Sequence, residues 1–117
     1  MEDAQDRVPP AEVGVQGQQV IVSVGGEMDI DRTPLLQEAL HTLITQPDCP
    51  PEVVLDLTDL TFCDSSGLNT ILQARLTAEE HGRRVILHAP SRQVTRLLEL
   101  TGTERLFRMT TGPCESD

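Results

Sequence analysis

The chain has 117 residues, 38% of them hydrophobic, which suits one small domain with a single core. It carries 19 acidic residues against 9 basic ones, a net charge of -10, and it contains no lysine. This balance disfavours direct binding to nucleic acid or to an anionic membrane surface, because both require a basic face on the protein.

The two ends of the chain differ in character from its middle. The opening MEDAQDRVPP is acidic, contains two prolines and lacks the hydrophobic segment of a secretion signal. No apolar run approaches the ~20 residues that span a bilayer. We therefore expect a cytoplasmic protein with no membrane segment. Residues 1–11 and 110–117 are predicted to be flexible tails.

The first elements are a hairpin and a helix. In EVGVQGQQVIVSVGG, valines alternate on both sides of Gly17, a pattern typical of two antiparallel strands joined by a turn. DRTPLLQEALHTLI follows as a helix, with Thr33 as its predicted N-cap and Pro34 at its first position. Its predicted apolar stripe consists of Leu36, Ala39, Leu40, Leu43 and Ile44.

Strands and helices then alternate. Residues 53–57 are apolar at nearly every position, which favours a central strand covered on both faces. SSGLNTILQARLTAEEHG is a second helix, RRVILHA a strand, and PSRQVTRLLELTG a third helix with Ser91 as N-cap and Gly102 at its end. RLFRM is a last short strand. The apolar face of the second helix is predicted to comprise Leu68, Ile71, Leu72 and Leu76. This order predicts an α/β fold with a mostly parallel sheet.

Motifs for catalysis or metal binding are lacking in the sequence. There is no G-x-S-x-G nucleophile elbow and no glycine-rich phosphate loop. Cys49, Cys63 and Cys114 form no CxxC pair, and the histidines are scattered. Cys63 is expected to be a buried, reduced thiol. We therefore expect no enzymatic activity, no metal and no cofactor.

The stretch LTFCDSSGLNTIL places three polar residues where an apolar run gives way to a helix. Asp64, Ser65 or Ser66 could each cap that helix. Gly67 in the first turn costs roughly 1 kcal/mol relative to alanine, and so small a residue would leave the neighbouring hydroxyls uncovered. A phosphate there would lie at a helix N-terminus, which favours negative charge. The residues alone leave open a plain cap or a modification site.

Three blocks of sequence resemble one known family. VVLDLTDLTFCDSSGLNTIL resembles the signature of STAS domains, in particular the bacterial anti-sigma-factor antagonists. VSVGGEMDIDRTPLL resembles the segment leading into the first helix of that family, and RRVILHAPSRQVTRLLELTGTERLF its final strand and helix. The resemblance covers residues 12–109, the predicted STAS domain. It implies a small mixed, mostly parallel sheet with an N-terminal antiparallel hairpin and helices packed largely on one side.

The resemblance also implies a function, that of a partner switch in transcription regulation. In this family the unphosphorylated antagonist binds an anti-sigma factor that is also a serine kinase of the histidine-kinase-like ATPase type, and a sigma factor is freed. Phosphorylation of the antagonist breaks the complex, and a PP2C-type phosphatase resets it. A monomer is expected for this chain.

Site residues follow from the resemblance by position. Ser65, directly after the aspartate, would be the phosphoacceptor. The partner-binding residues would be Asp29, Asp64, Ser65, Ser66, Gly67 and Asn69. Asn69 stands where many members of the family have glycine.

Two alternatives remain open on the sequence. The chain could be a STAS scaffold or interaction module that is never phosphorylated, in which case Ser65 only caps a helix. It could also be a small anionic-ligand or nucleotide-binding domain that uses the helix N-terminus.

Overall fold

Residues 12–111 are described by the structure, a computed structural model. The predicted tail at 1–11, the end of the second tail at 112–117, and Cys114 with it, lie outside the described residues. The elements in chain order are β1 (Glu12–Gln16), β2 (Gln19–Ser23), β3 (Gly26–Met28), α1 (Thr33–Ile44), β4 (Glu52–Asp56), β5 (Leu60–Cys63), α2 (Ser65–Glu80), β6 (Arg84–His88), α3 (Arg92–Thr101), a 3-10 turn (Glu104–Leu106) and β7 (Arg108–Thr110).

The main sheet has the strand order β1-β2-β4-β6-β7. Strands β1 and β2 pair antiparallel, and every other pair in this sheet is parallel. The parallel register aligns Val20, Val53 and Val85 in one row across the sheet. The predicted α/β fold with an N-terminal hairpin is therefore confirmed.

Helices cover the face of the sheet on which this row lies. The valine row belongs to the same hydrophobic cluster as Leu40 of α1 and Ile71 of α2. Leu98 of α3, which is fully buried, also belongs to it. Burying a leucine or isoleucine contributes about 1.5–3 kcal/mol, so these contacts fix the helices against the sheet.

Two residues of the predicted apolar stripes are exposed instead. Leu76 is 46% exposed, and Ala39 also faces solvent. Leu76 lies about 140° around the helix from the buried Ile71, so it cannot face the sheet. The buried side of α2 continues through the smaller Ala74 and Ala78, which let α1 pack closely beside it.

The predicted ends of α3 are correct, and the predicted end of α1 at Ile44 is correct, but its predicted N-cap is wrong. Ser91 Oγ accepts a hydrogen bond from the N–H of Val94 at 3.2 Å, and Gly102 ends α3 with φ of 73°. Helix α1 has Arg32 as its N-cap residue, and Thr33 lies inside the helix. A side-chain cap is dispensable there because the backbone carbonyl of Asp29 accepts from the N–H groups of Arg32 and Thr33, at 3.0 Å each.

A second, two-stranded sheet is the main addition to the predicted elements. It pairs β3 with β5 in parallel, with Met28 opposite Cys63. These strands have three and four residues, too few for a pattern of alternation to be recognised in the sequence. The small sheet ends where the polar stretch at residue 64 begins.

Candidate functional site

Pairing of β3 with β5 brings Asp29 close to Asp64. Each aspartate directly follows one member of the Met28–Cys63 pair, and the N–H of Asp64 donates to the carbonyl of Met28 at 3.3 Å. The resemblance placed both aspartates among the partner-binding residues. Strand pairing puts both aspartates at the same end of the small sheet.

Asp64 is the N-cap of α2. Its backbone is extended, with φ of -100° and ψ of -169°, and its Oδ1 accepts from the N–H groups of Ser66 at 2.9 Å and Gly67 at 3.0 Å. Its carbonyl accepts from the N–H of Leu68 at 3.0 Å. Of the three polar residues that could cap this helix, Asp64 is the one that does so. The N–H groups of Ser66, Gly67 and Leu68 are therefore already bound to one residue.

The two serines of this turn have different environments. Ser66 is half-buried, and its hydroxyl donates to Asp64 Oδ1 at 2.5 Å. Ser65 is exposed as the first residue of α2, and its hydroxyl makes no hydrogen bond within residues 12–111. The hydroxyl of Ser65 is therefore the accessible one, and that of Ser66 is bound within the protein.

Gly67 is buried, and the reason differs from the one that the sequence suggested. A Cβ at this position would lie 2.7 Å from Cys63 Sγ, 2.9 Å from the carbonyl oxygen of Met28 and 3.0 Å from Met28 Sδ. Glycine is needed because the helix begins directly against the small sheet. Gly67 is a packing residue that presents no side chain at the surface.

The remaining predicted site residues lie at the surface. Asn69 is exposed one turn after Ser65, so the two occupy the same face of α2. Asp29 is half-buried, and its Oδ1 accepts from the N–H of Asp31 at 3.1 Å. Beside it, Ile30 is 70% exposed. This isoleucine was not predicted as part of the site, and a single apolar residue in a loop gave no signal in the sequence.

Gln93 is a second residue that the sequence did not identify. It extends from α3 to β5, where its Oε1 accepts from the N–H of Cys63 at 2.9 Å and its Nε2 donates to the Cys63 carbonyl at 2.7 Å. Its side-chain amide thus takes the place of a neighbouring strand at the last residue before Asp64. A glutamine in a helix has no pattern that would reveal this contact.

The ionisation of Asp64 and Cys63 reflects these surroundings. Hydrogen bonds from the Ser66 hydroxyl and from the Gly67 N–H lower the pKa of Asp64, because they stabilise the carboxylate. Burial, followed by the nearby Asp64 charge, raises the pKa of Cys63 to about 11. Cys63 is a buried free thiol, as predicted. At neutral pH the turn therefore combines a charged carboxylate with a neutral thiol.

Groups of metal ligands and helices that could cross a membrane are both absent from the described residues. Between residues 12 and 111, no three histidine, cysteine or acidic side chains are grouped as metal ligands would be, and no helix has the length and apolarity to cross a membrane.

A groove of about 550 Å³ lies between α1 and α2, and its lining contains no arginine. The carboxylate of Glu38 also lines it, so the groove does not favour the nucleotide-binding alternative.

The chain is similar in sequence to known proteins. A family model described as "Mlab, STAS domain" matches residues 11–110. The anti-sigma-B factor antagonist of Staphylococcus aureus is 26% identical over 91 residues, which cover 78% of this chain and 82% of that protein.

Two solved structures show the same fold. The anti-sigma factor antagonist SpoIIAA in its unphosphorylated form has a TM-score of 0.75 at 23% identity and covers 88% of each chain. The Bacillus cell fate determinant SpoIIAA in the phosphorylated form has a TM-score of 0.71 at 22% identity, covering 88% of this chain and 91% of the other. With the family model spanning nearly all of the described residues, the chain belongs to the STAS domain family, and the relatives described here are anti-sigma factor antagonists.

Proposed function

We propose that this protein is an anti-sigma factor antagonist controlled by phosphorylation of Ser65. In the unphosphorylated form it binds an anti-sigma factor that is also a serine kinase of the histidine-kinase-like ATPase type, and a sigma factor is freed. A PP2C-type phosphatase reverses the modification. The protein acts in the cytoplasm as a monomer and has a regulatory, non-catalytic role.

One observation carries this proposal: the difference between two adjacent hydroxyls. A kinase must bring the acceptor oxygen in line with the terminal phosphate of ATP, so the acceptor needs to be accessible. Ser65 is exposed and its hydroxyl is unbonded within the described chain, while the Ser66 hydroxyl is bound to Asp64 at 2.5 Å. Ser65 therefore meets the requirement of an acceptor.

Electrostatics supports a loss of binding on phosphorylation. A phosphoserine adds about -1.5 to -2 charges. Unpaired N–H groups at a helix N-terminus could stabilise that charge, but the N–H groups of Ser66 and Gly67 already donate to Asp64. The phosphate would stand beside an existing carboxylate and project from the surface. It would thus act on a bound partner, through bulk and repulsion, and leave the fold largely intact.

Exposed apolar side chains near the site fit a protein partner. Ile30, beside Asp29, is 70% exposed, and Leu35 in the first turn of α1 is 56% exposed. Protein interfaces combine such apolar contacts with a polar rim, which Ser65 and Asn69 would provide. Ile30 follows Asp29 at the end of the small sheet where Asp64 also lies. A partner that contacted Ile30 would lie beside the turn that carries Ser65. The proposed modification therefore lies within the proposed interface.

The test is binding of the partner kinase to four forms of the protein. Wild type, Ser65→Ala, Ser65→Asp and the control Thr42→Asp serve as baits in lysate of the host, with mass spectrometry as the readout. Thr42→Asp adds the same charge at an exposed position near the far end of α1. We expect an ATP-binding anti-sigma kinase with every bait except Ser65→Asp.

Two results would contradict the proposal. Equal capture by Ser65→Asp and wild type would mean that charge at Ser65 does not control binding, as for an unphosphorylated scaffold. Capture of no ATP-binding kinase by wild type or Ser65→Ala would remove the proposed partner.

A further inference from the structure

We infer that Asp64 determines which of the two adjacent serines is phosphorylated, by binding the hydroxyl of Ser66. This inference rests on the proposed function and concerns the choice of acceptor within it. Asp64 is a positioning residue here, because it acts through Ser66 and has no assigned contact with the nucleotide.

The hydrogen bonds of Asp64 define how it acts. Its Oδ1 receives three donors: the Ser66 N–H at 2.9 Å, the Ser66 hydroxyl at 2.5 Å and the Gly67 N–H at 3.0 Å. A hydroxyl that donates to a carboxylate at this distance makes a strong, charge-assisted bond. The same carboxylate therefore caps the helix and retains the hydroxyl of the second serine.

Phosphoryl transfer requires that hydroxyl to be released. The serine oxygen forms a bond to the terminal phosphorus of ATP, the bond from that phosphorus to the bridging oxygen breaks, and ADP leaves. The hydroxyl proton passes to a base of the kinase. Ser66 would have to break its bond with Asp64 before its oxygen could turn outward, whereas Ser65 has no such bond to break.

The helix face adds a second barrier for Ser66. The residue one turn after Ser65 is Asn69, which is exposed. The residue one turn after Ser66 is Thr70, which is 1% exposed and donates its hydroxyl to the Ser66 carbonyl at 3.1 Å. The side of α2 that carries Ser66 therefore turns towards the interior. Removing the Asp64 carboxylate removes the hydrogen bond to Ser66, but the inward orientation of Ser66 remains. We therefore expect only part of the phosphate to move from Ser65 to Ser66.

The test compares substitutions at Asp64 that keep a helix cap. Asp64→Gly removes every side-chain acceptor, and glycine is tolerated at an N-cap. Asp64→Asn is the matched control, because its amide oxygen still accepts from Ser66. Asp64→Thr retains a neutral capping oxygen and replaces Asp64→Gly if that variant does not fold. Thermal unfolding monitored by circular dichroism establishes that each variant is folded.

Each folded protein is incubated with ATP and the kinase captured by Ser65→Ala, and phosphopeptides are mapped by mass spectrometry. We expect wild type to carry phosphate on Ser65 almost exclusively, and Asp64→Asn to stay closest to wild type, because its neutral amide oxygen still accepts a weaker bond from the Ser66 hydroxyl. In Asp64→Gly the ratio of phospho-Ser66 to phospho-Ser65 should rise about tenfold or more, the range expected for losing a hydrogen bond to a charged group. Asp64→Thr should give a smaller rise.

A second background removes competition from Ser65. Ser65→Ala alone should accept little phosphate, and Ser65→Ala combined with Asp64→Gly should accept it on Ser66. An unchanged ratio in Asp64→Gly and Asp64→Thr, with wild type phosphorylated on Ser65, would overturn the inference and leave the proposed function intact. Absence of phosphate from wild type would instead overturn the proposed function, and this inference with it.

Discussion

Gln93 makes two hydrogen bonds to the backbone of Cys63, one to its N–H at 2.9 Å and one to its carbonyl at 2.7 Å. Cys63 is the last residue of β5, and its other edge pairs with Met28 of β3. Both backbone groups of the residue before the capping aspartate thus bond to Gln93, while on the other edge the N–H of Asp64 donates to the carbonyl of Met28. Helix α3, through this one side chain, helps to set the position at which α2 begins.

Replacing Gln93 should weaken this support. In Gln93→Ala, two backbone groups beside a buried side chain lose their partner, which should lower the free energy of unfolding by about 1–3 kcal/mol. Urea unfolding measures the change. Gln73→Ala, at an exposed position of α2, is the matched control and should change stability by less than about 0.5 kcal/mol. Equal effects of the two substitutions would show that the Cys63 contacts contribute nothing specific.

Gly67→Ala should destabilise the protein although alanine is the better helix former. The gain in helix propensity is about 1 kcal/mol. Against it, the new Cβ would come within 3.0 Å of Met28 and Cys63 atoms, and overpacking of this kind costs about 1–3 kcal/mol. Two of these contacts are within 2.9 Å and one is to a backbone oxygen, so we expect a net loss of stability by urea unfolding.

Gly14→Ala is the control for that experiment. Gly14 lies in β1, and a Cβ there would meet nothing within 4 Å. Alanine should be neutral or slightly stabilising, because it reduces the freedom of the unfolded chain. If Gly67→Ala proved as stable as Gly14→Ala, the close approach of α2 to the small sheet would be wrong.

Asp64 should make stability depend on pH in the acid range. Its pKa is lower in the folded protein than in the unfolded chain, because the Ser66 hydroxyl and the Gly67 N–H stabilise the carboxylate. Its contribution is therefore complete above the unfolded pKa, roughly 3.9, and is lost as the pH falls through the folded value. Wild type should exceed Asp64→Asn in stability at pH 6, and the difference should shrink towards pH 2.5. A difference that stayed constant over this range would contradict the assignment.

Cys63 should react slowly with thiol reagents in the native protein. Burial raises its pKa to about 11, so the reactive thiolate is scarce at pH 8. A Cys49→Ser/Cys114→Ser variant leaves Cys63 as the only thiol. Its rate of reaction with a disulfide reagent should be far lower in the native state than in urea, and it should rise with pH beyond 9. A native rate equal to the rate in urea would mean that Cys63 is accessible.

The sequence predicted most of the regular elements, since their signals are local. Alternating valines identified the β1–β2 hairpin, and Ser91 and Gly102 identified both ends of α3, because capping depends on residues adjacent in the chain. The apolar stripe of α1 was correct at Leu36, Leu40 and Ile44. The stripe of α2 was wrong at Leu76, which lies about 140° around the helix from the buried Ile71 and is exposed.

Local patterns by themselves were sufficient to predict the α/β fold and the polar turn at Asp64 to Gly67, and the resemblance of three sequence blocks indicated the family. Only the tertiary structure decided the roles within that turn. Pairing of β3 with β5 brings Asp29 beside Asp64, Gly67 is required by close packing on Met28, and Asp64 binds Ser66 while Ser65 stays exposed. Those outcomes depend on contacts between residues up to 39 positions apart, from Met28 to Gly67. Propensity and periodicity describe neighbours in the chain, so they cannot specify which distant backbone or side chain completes a hydrogen bond or fills a space.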